Sequence, residues 1–445
     1  MSPSVLAILM FVSLIVTIAS GHPLAVCLVV ISALFGLIDN GWNFAGLMDL
    51  FANNNWGLMM NYTLVAVPLF IYMAQILDKS QVSEGLFDAL YIVLGGLRGG
   101  LGLAIIVVCT VLAATTGIVG ASVTAMGLMA APVLLRRGYN RELSSGLICA
   151  GGTLGILIPP SIMSVVYAGL TGIKETSVGN MFAGQILPGL VLSVLYFGYV
   201  GIRCHLRPQD GPPLPVAERT HTLGQKIGMT AKNLVPPAIL IFAVMGTILF
   251  GVATATEAAA VGCVGAMILA ASYRKLSWKV IEGACVATVK TTAMVMFLFV
   301  GGKLFSAVFL GMGGGSLVSD TLLSIPNRWV VFGIMMAFVF VLGMFIDWAA
   351  ILLITVPIFV PIAVELGFDP LWFAVIMCVN LQTSFLTPPF GYALFYLKGT
   401  APPEYTLGDI YRGILPFVGL QVVGLVLMCA FPALTTWLPD VFFGR

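Results

Sequence analysis

Small hydroxyl, amide and glycine residues cluster around two helix-breaking sites that lie far apart in the sequence. The first site is GGTLGILIPPSI, from Gly151 to Ile162, and the second is NLQTSFLTPPFG, from Asn380 to Gly391. A proline pair removes two backbone donors and disfavours helix in the residue before it, so a helix is interrupted at each site. Freed carbonyls and neighbouring hydroxyls are oxygen ligands for a cation such as Na⁺. The predicted chemistry is therefore ion binding.

The two breaks occupy matching places in two halves of the chain. The structural breaks are predicted at Pro159, Pro160 and at Pro388, Pro389, and the two pairs are 229 positions apart. The same shift places Tyr167 on Tyr396 and Gly138 on Gly367. Broken helices in corresponding places of two halves are the best sequence indication of a secondary transporter's binding site.

Composition places these sites in a membrane protein. The 445 residues are 60% hydrophobic and 9% charged, whereas a soluble domain carries about 25% charged residues. The eight cysteines form no CxxC pair, so neither a disulfide framework nor a zinc site is indicated. No HExxH or phosphate-loop motif is present. We therefore do not expect the chain to be an enzyme, and we expect no nucleic-acid partner.

The segment lengths predict an all-α polytopic protein. Two regions, about 99–135 and 329–363, are too long for one crossing, and each contains a glycine or polar tip. We interpret both as re-entrant helical hairpins, with a pair of ordinary crossings as the alternative. Ten segments have the length of one crossing, roughly 20 residues: 5–20, 23–38, 60–77, 144–170, 180–202, 234–250, 256–272, 291–310, 371–397 and 413–437. The segments 81–94 and 277–289 are expected along the membrane surface, and Asn53–Trp56 is expected in an interfacial loop.

A linker rich in proline and charge divides the chain into two inverted-topology repeats. The first repeat is predicted over 1–203, the cytoplasmic linker over 204–232 and the second repeat over 233–445. Each half has five crossings and one hairpin, and an odd number of crossings inverts the second copy. Lys and Arg concentrate in the linker, which includes Arg219, and in two turns near 136–141 and 274–279. The positive-inside rule makes these segments cytoplasmic.

The candidate ligands for Na⁺ and substrate are the small and polar residues at the hairpin tips and at the helix breaks. A single Ser or Thr in a membrane helix more often bonds a carbonyl of its own helix, but here such residues cluster beside both breaks. The candidates are Thr115, Thr116, Gly117, Gly120, Ser122, Gly152, Thr153, Gly343, Asp347, Asn380, Thr383, Ser384 and Thr387.

Three charged residues lie inside apolar segments, where charges are costly and usually functional. Asp347, at the second tip, is expected to hold a cation or to fix the hairpin. Glu257 is interpreted as a helix-start acid capped by Thr254 or Thr256. Lys303 is either a snorkelling side chain or the partner of an acid that the sequence does not identify.

Four long motifs resemble the large membrane subunit of tripartite ATP-independent periplasmic (TRAP) transporters. They are GGTLGILIPPSI (151–162), ATATEAAAVG (253–262), GMFIDWAAILLITVPIFVPIA (343–363) and VNLQTSFLTPPFGYALFYLKG (379–399). The resemblance implies an elevator-type carrier, whose hairpins and broken helices form a transport domain moving against a scaffold of the remaining spans. It also implies Na⁺ coupling, a small four-helix membrane subunit and a periplasmic substrate-binding protein. Substrates of the family are mostly small organic acids, taken up across the bacterial inner membrane.

The expected function is Na⁺-coupled uptake of a carboxylate by the permease subunit of a binding-protein-dependent system. The alternative is a stand-alone ion-coupled organic anion carrier that needs no binding protein. A channel is disfavoured because the sequence contains no filter-like repeat, and a membrane enzyme because it contains no catalytic constellation.

Overall fold

The computed structural model describes residues 3–80, 82–215 and 222–444, and the regular structure in these ranges is helical, without a β-strand. The N-terminal half contains α1 (Pro3–Ala19), α2 (Leu24–Asp39), α3 (Phe44–Met59), α4 (Ala66–Lys79), α5 (Val82–Leu94), α6 (Gly100–Thr116), α7 (Val119–Arg136), α8 (Arg141–Thr153), α9 (Ile162–Thr171) and α10 (Val178–Leu206). The C-terminal half contains α11 (Leu223–Leu249), α12 (Ala255–Ser272), α13 (Trp278–Gly311), α14 (Gly314–Leu323), α15 (Arg328–Gly343), α16 (Trp348–Glu365), α17 (Pro370–Ser384), α18 (Tyr392–Thr400), α19 (Leu407–Ala430) and α20 (Ala433–Phe443). Short 3₁₀ helices are Tyr62–Val65, Leu154–Ile156, Lys174–Thr176 and Pro208–Asp210.

Many of these helices are long and apolar enough to cross a bilayer. Among the described residues seven meet this test by themselves, namely α7, α10, α11, α12, α13, α16 and α19. An eighth crossing would be α3 together with Tyr62–Lys79, two segments that are bent by 60° relative to each other. The prediction of an all-α polytopic membrane protein is therefore confirmed.

The helices of the two halves recur at a constant spacing in the sequence. The first residues of α7 and α16 are 229 positions apart, and so are their last residues. α10 and α19 begin with the same spacing, after Ser177 and Thr406, whose hydroxyls each accept the N–H three residues further on. One region departs from this pattern: the bent pair of α3 and α4 corresponds to the single 34-residue helix α13. The relative orientation of the two halves in a membrane stays a prediction.

Each half contains a tight helix pair followed by an interrupted helix. α6 and α7 are joined at Gly117, which has the left-handed φ of 62° that glycine tolerates best. α15 and α16 are joined by the four residues 344–347. The chain then forms α8 and α9, separated by 154–161, and in the second half α17 and α18, separated by 385–391. Both interruptions include the proline pairs.

Cross-packing joins the two halves. α7 packs against α18, and α16 packs against α9, so each helix pair contacts the interrupted helix of the other half. The closest approach is between α8 and α19, where a Cβ on Gly146 would overlap the Gly413 carbonyl oxygen, and a Cβ on Gly413 would overlap that of Glu142. Small residues allow such close contact between membrane helices.

The boundaries of the linker differ from the prediction of 204–232. α10 continues to Leu206, and α11 already begins at Leu223. The early start has a local cause, because Thr222 and Gln225 form a capping box in which each side chain accepts the backbone N–H of the other. Arg219, one of the predicted cytoplasmic charges, lies outside the described residues.

Three other segment predictions are wrong in detail. The segment 277–289 does not lie apart on a surface but continues into the crossing 291–310 as the single helix α13. At 1.5 Å per residue, its 34 residues span about 51 Å, more than the roughly 30 Å of hydrocarbon. Asn53–Trp56 lies inside α3, not in a loop. The predicted crossing 413–437 is divided between α19 and α20.

Replacing Gly413 by valine should destabilise the protein, because the new side chain would force α8 and α19 apart. Overpacking of this kind costs about 1–3 kcal/mol, which thermal unfolding of the detergent-solubilised protein would report as a Tm several degrees lower. Gly419→Val in the same helix is the control, since a Cβ there meets no atom within 4 Å. Equal Tm values for the two variants would contradict the close α8–α19 contact.

Candidate functional site

The tip of the first hairpin is a compact cluster of hydroxyl groups. The Thr116 and Ser122 hydroxyl oxygens are 2.7 Å apart across the turn between α6 and α7. Thr115 and Thr116 both donate to the carbonyl of Leu112, at 2.8 Å and 3.0 Å. All three hydroxyl-bearing side chains are buried. The fold thus places the predicted residues of the first tip together, with their oxygen atoms close to one another.

This tip packs directly on the first interrupted helix. A Cβ built on Gly155 would lie 2.9 Å from the Ser122 hydroxyl oxygen and 3.3 Å from that of Thr116. A Cβ on Gly152 would overlap the side chain of Val123. Glycine at 152 therefore allows the tip to approach this closely, and a side chain at 155 would push against both tip hydroxyls. The predicted grouping of Gly152 with the tip hydroxyls is present in the structure.

The tip of the second hairpin is built around a carboxylate. Asp347 precedes α16, where its Oδ1 accepts the backbone N–H of Ala349 at 3.0 Å. The side chain is half-buried, and among the described residues no basic group lies within ion-pairing distance of it. This N-cap bond uses one carboxylate oxygen, and Oδ2 keeps its capacity as a ligand. The carboxylate can therefore fix the hairpin and face a cation at the same time.

The second tip also contacts the second interrupted helix through a glycine. A Cβ on Gly343 would overlap the hydroxyl of Ser384. Asn380 lies one turn earlier and donates from Nδ2 to the carbonyl of Met336 in α15, at 2.8 Å. These contacts reproduce in the second half the pairing of tip with broken helix that the first half shows.

The hydroxyl groups beside the second break all donate to carbonyls of their own helix. Thr383 donates to Val379 at 2.9 Å, Ser384 to Leu381 at 2.7 Å and Thr387 to Thr383 at 2.8 Å. Such internal bonds are the ordinary arrangement of Ser and Thr in membrane helices. They use the hydroxyl hydrogen and leave the lone pairs of each oxygen available, so the same groups can still coordinate a cation.

The two interrupted helices touch each other at Thr153 and Gln382. The Gln382 Nε2 lies 3.4 Å from the Thr153 hydroxyl, and the two residues are 229 positions apart. Thr153 is the last residue of α8, and Gln382 lies two residues before the end of α17. The two helices that lead into the breaks are therefore in contact just before the breaks begin.

Gln382 is absent from the residues predicted as ligands. It is fully buried, and its Oε1 has no hydrogen-bond partner among the described residues. The sequence did contain a signal, because the 229-residue shift pairs Gln382 with Thr153, which was predicted. The first hairpin also reaches the second broken helix: a Cβ on Gly120 would lie 3.0 Å from the Tyr396 ring.

Glu257 belongs to a different part of the molecule. Its carboxylate accepts the backbone N–H and the hydroxyl of Thr254, both at 2.8 Å, and completes a capping box at the start of α12. α12 packs mainly against α4 and α11, so Glu257 is a helix-start acid and not a tip residue.

The site offers hard oxygen ligands, most of which are uncharged. The described residues contain no group of three or more His, Cys, Asp or Glu that could hold a metal ion. What the tips and breaks supply instead is one carboxylate with hydroxyl, amide and carbonyl oxygens. This donor set fits a monovalent hard cation such as Na⁺, which hydroxyls and the carbonyls of broken helices coordinate in transporters.

Comparison with known proteins places the whole chain in one family. The sequence profile described as "DctM: Tripartite ATP-independent periplasmic transporter, DctM component" matches residues 11–434. The C4-dicarboxylate TRAP transporter large permease protein DctM of Pseudomonas aeruginosa is 33% identical, over 85% of this chain and 87% of that protein. DctM of Vibrio cholerae is 29% identical over 98% of both chains. The sialic acid TRAP transporter large permease protein SiaM of Vibrio cholerae is 29% identical over 96% of both chains.

A solved structure has the same overall fold. The crystal structure of the Alcanivorax borkumensis YdaH transporter superposes with a TM-score of 0.63, covering 99% of both chains at 15% sequence identity. This likeness concerns the fold alone, whereas the family rests on the sequence matches. The chain belongs to the DctM component family of tripartite ATP-independent periplasmic transporters.

Proposed function

We propose that this protein is the large permease subunit of a Na⁺-driven importer of a small organic acid. The family supports the transport role and a multi-pass location in the bacterial inner membrane. The substrate class is proposed from the relatives, whose names specify C4-dicarboxylates, sialic acid and isethionate, all of them anionic acids. Like those relatives, the chain would work with a small membrane subunit, expected to have four helices, and a periplasmic binding protein.

The observation that carries the proposal is the meeting of two broken helices at Thr153 and Gln382, with a hairpin tip packed on each. Irregular backbone inside a membrane protein is tolerated where it is buried in protein or lines a cavity. Two such segments side by side, with hydroxyl-bearing tips, create one compact site for ions and substrate. The Na⁺ ions would bind at the tips, with Asp347 supplying the only carboxylate among the predicted ligands.

The sequence assigned only the hairpins and the interrupted helices to the moving part. Because α10 and α19 pack against these elements, the moving part proposed here includes α10 and α19 as well. In this proposal the two halves have opposite orientations, the turns near 136–141 and 274–279 face the cytoplasm, and so does the linker. The transport domain would slide against the scaffold of the remaining helices, which is the elevator mechanism. A stand-alone carrier with the same fold, needing no binding protein, is the second candidate.

Uptake by the reconstituted system tests the function. Proteoliposomes would contain this chain and the small membrane subunit, with the binding protein outside and a panel of radiolabelled mono- and dicarboxylates. We expect at least one carboxylate to accumulate when Na⁺ is outside, and no accumulation when choline replaces it. Undiminished uptake in choline would contradict Na⁺ coupling. Accumulation without the binding protein would instead support the stand-alone carrier.

Asp347→Asn should weaken the response to Na⁺ while preserving the fold. Asparagine caps a helix about as well as aspartate, so α16 should still begin correctly. Loss of one charged ligand is worth about 1.5–3 kcal/mol, which corresponds to a half-saturating Na⁺ concentration at least about tenfold higher. Asp320→Asn, at an exposed position in α14, is the control. A wild-type Na⁺ response in Asp347→Asn would remove Asp347 from the ion site.

Gly343→Ala should displace Ser384 from the second tip, because the new methyl group overlaps its hydroxyl. Bound Na⁺ raises the Tm of the state that binds it, so we expect a smaller Na⁺-induced rise in Tm than in the wild type. Gly333→Ala in the same helix is the matched control, since a Cβ there meets nothing within 4 Å. Equal Na⁺-induced rises for both variants would exclude the Gly343–Ser384 contact from the ion site.

A further inference from the structure

One face of α13 carries four polar residues, with the apolar Val295 and Phe299 between the second and the third of them. Thr288, Thr292, Lys303 and Ser306 are spaced by four, eleven and three residues, and spacings of three, four, seven and eleven keep side chains on one face of a helix. We call these four residues the polar stripe. It extends over about 27 Å at 1.5 Å per residue, with Thr288 just before the predicted crossing 291–310 and the other three residues within it.

The polar stripe borders the second hairpin. Ser306 donates its hydroxyl hydrogen to the carbonyl of Leu353 in α16, at 2.6 Å. A Cβ on the neighbouring Gly302 would lie 2.6 Å from the Leu353 side chain. α13 thus presents this side to the helix that begins at Asp347, the carboxylate of the second tip. The C-terminal end of the polar stripe, at Ser306, therefore lies where the proposed scaffold meets the proposed moving part.

Two hydroxyl groups of the polar stripe are buried without a hydrogen-bond partner in the described part of the chain. They belong to Thr288 and Thr292. Threonine in a helix can ordinarily bond a carbonyl three or four residues earlier, as Thr355 and Thr383 do here. Burying a hydroxyl without a partner is unfavourable. These two hydroxyl groups are therefore available to hydrogen-bond a polar ligand.

Lys303 is the charged member of the polar stripe. It is half-buried, and the described residues provide neither an ion pair nor a hydrogen bond for its ammonium group. Snorkelling of the Lys303 side chain toward the membrane surface does not explain its position well. The nearer end of α13 is its C-terminus, eight residues away at Gly311, whereas side chains of a helix lean toward its N-terminus. A cation in an apolar segment without a partner among the described residues points to an anionic ligand.

We propose that the polar stripe lines the scaffold side of the path along which the acid is transported. Lys303 binds the carboxylate of the acid while the transport domain moves past α13. The proposal deepens the function proposed above and rests on it. The Thr288 and Thr292 hydroxyls, which have no partner among the described residues, donate to the anion in place of water, and Lys303 supplies the charge that the tip residues lack. None of the residues predicted at the tips and breaks is basic, so the carboxylate needs a cationic group from elsewhere.

Charge substitutions at Lys303 test this role in the reconstituted system, using the carboxylate of the panel that the wild type accumulates fastest. Lys303→Gln should lower the initial uptake rate at least about tenfold, the loss expected for one charge-assisted hydrogen bond. Lys303→Arg should retain most of the rate. Lys290→Gln, at an exposed position of the same helix, is the control. An uptake rate for Lys303→Gln within about twofold of the wild type would overturn the proposal. Loss of Na⁺-driven uptake in the wild type as well would count instead against the proposed function.

A second measurement needs no substrate and does not depend on uptake. Single cysteines at 292 and 303, in a variant with the eight native cysteines replaced, would be exposed to the anionic thiol reagent 2-sulfonatoethyl methanethiosulfonate. Cysteines at 294 and 297 are controls, because Met294 and Phe297 are exposed apolar residues on other sides of α13, within the segment 291–310. We expect modification at 292 and 303 and none at the controls. Equal labelling at all four positions, or none at 292 and 303 with and without Na⁺, would contradict a water-accessible path.

Discussion

The structure depends on one constraint, which is that backbone interrupted inside an apolar protein must find its hydrogen-bond partners within the protein. Both α8–α9 and α17–α18 are interrupted at proline pairs. Hydrocarbon provides no partners for the carbonyls that such breaks release. In the first break the Ser161 hydroxyl donates to the carbonyl of Ile156, and in the second the Tyr411 hydroxyl donates to that of Pro389. A hairpin tip also packs against each interrupted helix, which brings the polar side chains of the tip to the break.

Glycine at the contact points makes this packing possible. Gly152 and Gly155 admit the first tip, and Gly343 admits Ser384 at the second. The two sites are similar in position but differ in chemistry. The first is a pair of hydroxyls 2.7 Å apart, and the second contains the carboxylate of Asp347. Because the two tips contain different ligands, we expect their affinities for Na⁺ to differ.

Much of the fold follows from residues whose effect is local. Proline pairs interrupt helices wherever they occur, so the breaks could be located from sequence, and Ser177 and Thr406 fix two helix starts in the same way. Contacts between distant segments could not be located. Gln382 reads as one polar residue among several, and only the folded chain brings it to Thr153. The continuity of α13 was missed because hydropathy marks the part of a helix inside the membrane but not its extension beyond it.

The same limit applies to Lys303. The sequence shows a lysine in an apolar segment, and the structure adds that it shares a helix face with Thr292 and lies beside the second hairpin. Neighbours four residues apart can be identified from spacing, whereas a neighbour fifty residues away, such as Leu353, cannot. The sequence thus identifies Lys303 as a charged residue within a membrane segment, and the packing of α13 shows which helix lies beside it.

The central claim is that the two tips and the two breaks together enclose bound Na⁺. A cryo-electron microscopy map of the permease with its membrane partner, recorded in sodium chloride and again in choline chloride, tests it most directly. We predict density surrounded by oxygen atoms between the tip of Thr116 and Ser122 and the first break, and between Asp347 and the second, present only with Na⁺. Identical maps in the two salts, with both tips closed on protein atoms alone, would contradict it.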